Sequence, residues 1–209
     1  MNHKYTPILA LDPASETGWA LWIPGASKPL YGSWKLVLKG KNNNHGARRR
    51  RLLDSIQELL KDNKLSNNLA LVVVVEAPAP GAQRNSGSIS LSEGWIPVVQ
   101  LWCHDRGLAE PELAPIATWR NHFLPSKKPK ALKGTEATDW YKREAIEACK
   151  ERGLEPADSN AAEAIGILKW AIDGGVAQRR KTLEQKKQQT RNRRAQMKMK
   201  LEFDEANRP

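Results

Sequence analysis

Apolar residues fall along this chain in two kinds of run. Ile8-Leu9-Ala10-Leu11 is continuously apolar and stops at Asp12-Pro13, the pattern of a strand covered on both faces. Thr17 to Trp22 and Ser33 to Leu38 read as two more strands. The Pro24-Gly25 and Lys28-Pro29 connections predict an antiparallel meander of the three. Leu69 to Glu76 is the strongest strand signal, β-branched and apolar throughout. A helix from Ala47 to Asp62, with Leu52, Leu53, Ile56, Leu59 and Leu60 on one face, leads into it. Such a crossover predicts parallel pairing with the first strand. Glu112 to Ala117 is a further strand, kept near an edge by Pro115.

Three more helices follow from the same patterning. Leu91 to Arg106 carries Leu91, Trp95, Val98, Val99 and Trp102 on one face. Glu136 to Arg152 turns Trp140, Ile146 and Cys149 inward, and Gly153 closes it. Ala161 to Ile172 is apolar almost all round, which predicts a buried helix. The expectation is an α/β fold whose mixed five-stranded sheet has three antiparallel and two parallel strands, flanked by helices. Residues 1–173 form one domain, and 174–209 are a basic helix or a disordered tail.

Two of the buried strands end in a carboxylate, Asp12 and Glu76, each closely followed by proline. Asp12 alone could cap a turn before Pro13 or pair with a lysine. As parallel neighbours, however, the two acids would lie about 5 Å apart, and like charges that close need a cation or a shared proton. Otherwise they are independent edge acids facing water. Glu163, at the start of the buried helix, is the third candidate. With Asn160 as N-cap it would complete a capping-box-like arrangement; alternatively it faces the other two acids.

Charge narrows the class of partner. The 209 residues carry a formal net charge of +11, of which residues 174–209 contribute +7 (eleven Lys or Arg against four Asp or Glu). That excess points to a polyanion, and nucleic acid is the ordinary one. Lys127, Lys128, Lys130 and Lys133 make a basic loop that could face phosphates or be a solvated charge run. Ala77 to Ser90, with Gln83, Arg84 and Asn85 at its middle, is a loop rich in Pro, Gly and Ser and a candidate mobile segment beside the site. Two cysteines and four scattered histidines form no zinc spacing or disulfide framework, which suggests a reducing, cytoplasmic setting. No run is long enough to span a membrane, and no signal-peptide pattern opens the chain. There is no GxSxG, Walker or GxGxxG loop. Converging carboxylates in a basic protein suit Mg²⁺ or Mn²⁺. A pair of such ions, roughly 3.5–4 Å apart, can promote phosphodiester hydrolysis.

The sequence resembles the RuvC-type Holliday junction resolvases of the bacteriophage kind, within the RNase H-like nuclease superfamily. Ile8 to Pro13 with Thr17-Gly18-Trp19 is similar to the family's opening motif, and Val72 to Glu76 to its second acid-bearing strand. Asn160-Ala161-Ala162-Glu163-Ala164-Ile165 is similar to its closing Asp-Ala-Ala-Asp helix start, and the resemblance covers about residues 6–173. It implies an RNase H-like fold and a homodimeric, Mg²⁺-dependent endonuclease, with two ions per site, that cuts four-way DNA junctions by paired nicks. By the same resemblance Asp12, Glu76 and Glu163 are catalytic metal ligands. The family's fourth acid falls at Asn160, so Asp158 is its candidate substitute, or Asn160 ligates through its amide oxygen. Lys142 and Arg120 are placed near the scissile phosphate, with Arg84, Lys127 and Lys128 as further DNA-binding residues. The helix from Leu91 to Arg106 corresponds to the family's dimer helix, which gives Trp95 and Trp102 a second possible role.

Three other readings fit parts of the pattern. An actin-like phosphotransferase also opens with strand, acid and Thr-Gly, but needs a second nucleotide-binding half for which the chain has no room. A DNA-binding protein on the same fold without activity is consistent with Asn160. A related nuclease acting on RNA hybrids or branched forks shares every motif.

Overall fold

The computed structural model describes residues 6–37, 40, 44–78 and 86–206, with side chains described except at 86–93 and 198–206. Five strands, β1 (Ile8–Asp12), β2 (Glu16–Trp22), β3 (Leu30–Lys35), β4 (Val72–Ala77) and β5 (Glu112–Pro115), form one sheet in the order β3-β2-β1-β4-β5. β2 runs antiparallel to both β1 and β3, while β1, β4 and β5 are mutually parallel. Among the described residues there are six helices: α1 (His45–Asp62), α2 (Ser86–Asp105), α3 (Ile116–Phe123), α4 (Gly134–Lys150), α5 (Ser159–Ile172) and α6 (Gly175–Ala206). None is long and apolar enough to cross a membrane.

Side-chain alternation along the central strands divides the core in two. Leu9 and Leu11 of β1 and Val73 and Val75 of β4 pack under α1 and α2, against Leu52, Ile56, Leu60, Trp95, Val99 and Trp102. Ile8, Ala10 and Val74 face the other way, against α3, α4 and α5 through Trp119, Phe123, Ala145, Ala148, Ala162 and Ile165. Trp95 and Trp102 are both in the core, and among the described residues of α2 Leu101 is an exposed large apolar side chain, at 61%. Cys103 and Cys149 are buried free thiols, pushed up to about 12 by burial.

Several boundaries differ from the sequence expectation, each for a local reason. β3 lies three residues earlier than Ser33–Leu38. Its register runs from Leu21↔Leu30 to Glu16↔Lys35, and one further bond, from the Leu36 N–H to the Ser15 carbonyl at 3.0 Å, ends the pairing at the β1–β2 turn. β4 starts at Val72 rather than Leu69, because the Asn68 side chain accepts from the Ala70 N–H and its carbonyl accepts from Leu71 in a turn. Leu69 is consequently 68% exposed. α2 reaches back to Ser86 through residues expected to be loop, as helix extension is far easier than nucleation once the downstream stripe has packed. The stretch after β5 folds as the short helix α3, and 175–206 is helix rather than coil.

Candidate functional site

Parity places the two strand acids on one face. Asp12 follows Leu11 and Glu76 follows Val75, so both point with Ala10 and Val74 toward the layer of α3 and α5. The parallel register pairs Leu11 with Val75, and one further step along it sets Asp12 abreast of Glu76. The backbone holding Asp12 is closed by Thr17, a fully buried residue. Its hydroxyl donates to the Ala14 carbonyl at 2.8 Å and accepts from the Ala14 N–H at 3.2 Å.

Gly18, opposite Asp12 across β1 and β2, is what lets the third acid arrive. A Cβ there would lie 1.9 Å from the Asn160 carbonyl oxygen, so only glycine allows the first turn of α5 to rest on the sheet. Glu163 follows on that helix and is 6% exposed. Gly166, one turn on, makes room for the rings of Trp119 and Phe123 (2.7 Å from its would-be Cβ), which seats α3 against α5. Two consecutive α3 side chains then reach the acids: Trp119 Nε1 donates to Glu76 Oε1 at 2.9 Å, and an Arg120 terminal nitrogen donates to Glu163 Oε1 at 2.7 Å. The Arg120 guanidinium also lies 4.2 Å from the centre of the Tyr141 ring of α4.

These contacts make one electrostatic unit. Loss of hydration raises Asp12 well above the usual aspartate range, the charges of Glu76 and Glu163 raise it further, and Arg120 opposes them. Burial and the Glu163 charge push Glu76 up to about 7, against the Trp119 hydrogen bond and Arg120. The hydrogen bond between the Asp12 and Glu76 carboxyls raises the former and lowers the latter. Asp12, Glu76 and Glu163 thus lie within electrostatic reach of one another, with Arg120 opposing their combined charge.

As donors, three carboxylates are the chemistry a hard divalent cation takes. Their arrangement is different: among the described residues no group of three or more His, Cys, Asp or Glu stands ready to hold a metal ion. One oxygen of Glu163 is turned to Arg120 and one of Glu76 to Trp119.

The remaining sequence candidates sit as follows. Asp158, not Asn160, is the N-cap of α5: its Oδ1 accepts from the Ala161 N–H at 2.9 Å, and its Oδ2 accepts from the Ser33 hydroxyl. With the cap two residues earlier, Glu163 lies beyond the first turn and closes no capping box. Arg120 faces the acids rather than an open surface. Lys142 is half-buried on α4, next to Tyr141. Lys127 is exposed, whereas Lys128 donates to the Pro129 and Leu132 carbonyls at 2.9 and 2.6 Å and so closes its own loop. Arg84 lies outside the described residues. Trp119 and Tyr141 were not foreseen; the available signal was the Trp119-Arg120 pair directly after an acid-rimmed strand.

The chain matches no protein-family model, and comparison with curated proteins gives no match either.

Proposed function

We propose that this chain is a RuvC-type, RNase H-like nuclease: a metal-dependent endonuclease that nicks four-way or otherwise branched DNA. One observation carries the reading. Three carboxylates from β1, β4 and α5, 151 positions apart at the extremes (163 − 12), meet at one sheet edge in a chain of net charge +11. The mixed sheet of three antiparallel and two parallel strands supports the reading.

In this reading Asp12, Glu76 and Glu163 are the ligand set, with Asp158 or Asn160 as a fourth donor. Bound there, Mg²⁺ or Mn²⁺ supplies Lewis-acid polarisation and counter-charge at the phosphodiester. Trp119 fixes one oxygen of Glu76, Thr17 closes the β1–β2 turn, and Gly18 beside it on β2 admits α5. Arg120 balances Glu163 before substrate arrives. Lys142 and Lys127 approach the phosphates from α4 and its preceding loop. The exposed Leu101 on α2 suits a homodimer contact, which would set one site on each of two strands.

The test is cleavage of synthetic four-way junctions against linear duplex in Mg²⁺. Selective nicking of the junction, abolished in Asp12→Asn with binding retained, is the expected result. Equal cleavage of duplex would make this a less selective nuclease. Binding without cleavage in either metal would favour the second reading, a silent branched-DNA-binding protein, for which the Arg120–Glu163 ion pair is the supporting observation.

A further inference from the structure

α6 has no part in the acid site, yet it holds much of the positive charge. It leaves the far end of α5, about 14 Å along the helix axis from Glu163 at 1.5 Å per residue. Its root is firm. Val176 is buried, Gly175 packs on the Trp170 ring, and Glu112 on β5 receives both Arg179, at 3.6 Å, and Arg180. Beyond this root, every residue from 181 to 197 is exposed.

The charge on the exposed part is ordered. Arg180, Lys187 and Arg194 are spaced seven apart, as are Arg179, Lys186 and Arg193, and Arg191 continues the first row. Seven residues are close to two turns, about 10.5 Å, so these are two basic rows running the length of the helix, about 100° apart round it, with Leu183, Thr190 and Met197 between them. Lys181, Gln185, Gln188, Asn192 and Gln196 lie on the opposite side. Glu184 is the single acid between 178 and 197. Like charges along a helix face repel one another, so a polyanion laid along the rows would relieve that repulsion.

An anionic membrane is a poorer fit than a duplex. A helix that lies in a lipid interface buries an apolar face, and between 178 and 197 the apolar residues are Leu183, Ala195 and Met197. We propose that α6 is a basic arm that binds the phosphate backbone of duplex DNA without regard to sequence, giving the chain affinity independent of the acid cluster. Five cations of the two rows lie past the Glu112 anchor: Lys186, Lys187, Arg191, Arg193 and Arg194. If each neutralises one phosphate, they contribute about −4.5 to the slope of log affinity against log salt.

The experiment measures binding of the full chain to a linear duplex of arbitrary sequence, by fluorescence anisotropy from 50 to 300 mM NaCl. The variant replaces those five cations with glutamine; a control interchanges Lys and Arg at the same positions. The glutamine variant should show a slope shallower by about 4.5, so that its loss of affinity relative to the parent is about 3,000-fold greater at 50 mM than at 300 mM NaCl. The control should keep both. Slopes within one unit of each other, or no duplex binding by the parent chain, would overturn the proposal. So would tighter binding of the parent to phosphatidylserine vesicles than to the duplex, lost in the same variant. Junction nicking is scored separately: nicking with a slope indifferent to α6 sinks the arm and leaves the nuclease reading standing. A salt slope that falls as expected in a chain that never nicks does the reverse.

Discussion

Without a divalent cation, the acid cluster should make this protein less stable at pH 8 than at pH 5. Glu76 is held at about 7 in the folded chain against an ordinary value of 4.5. A raised carboxyl means that the folded state binds more protons than the unfolded state between those two values, so stability falls as pH rises through that window. The contribution is fully present below about 4.5 and gone above about 7. A shift of roughly 2.5 units at about 1.4 kcal/mol per unit gives about 3 kcal/mol from Glu76, and Asp12 acts in the same direction. Glu76→Gln keeps an oxygen for the Trp119 N–H and removes the ionisation, so it should match the parent at pH 5 and exceed its stability at pH 8. Urea unfolding in EDTA at pH 5, 6, 7 and 8 reads both effects. A parent whose unfolding free energy is level or climbs over that range, with Glu76→Gln running parallel to it, would refute the assignment of a desolvated, hydrogen-bonded pair.

Three further outcomes follow from the same contacts. Millimolar Mn²⁺ should raise the unfolding midpoint at pH 8 and have little effect at pH 5, where protons compete for the carboxylates; a thermal shift at each pH reads this. Arg120→Met leaves Glu163 with no counter-cation in a site where its side chain is 8% exposed. Chemical unfolding at neutral pH should register a loss of about 3 kcal/mol, partly restored by Arg120→Lys. Gly18→Ala drives a Cβ to 1.9 Å from the Asn160 carbonyl oxygen and must lift α5 off β2. A loss of at least about 2 kcal/mol, with altered near-ultraviolet circular dichroism from the tryptophans around α5, is the expected result.

The elements and the facing of the strand acids were legible in the chain because both depend on short-range pattern. Continuous apolar runs ending in Asp12 and Glu76 define two buried strands, and a period of two then puts both carboxyls on one face wherever the strands are paired in register. The apolar circumference of Ala161–Ile172 likewise marks its burial, and with it that of Glu163. The N-terminal boundary of α5 was read two residues late. Asp158 and Asn160 are both good caps by type, and contact with Ser33, 125 positions away, accompanies the choice of Asp158. The start of β3 was misplaced because strand ends are set by the pairing partner, here β2, rather than by the strand's own residues. Arg120 could be recognised as basic and near the site, but not as the partner of Glu163. That pairing spans 43 positions and requires α3 to be seated on α5 at Gly166, a packing contact with no periodic signature. Local pattern therefore determined which acids are buried and which way they face, and tertiary packing alone decided what balances their charge.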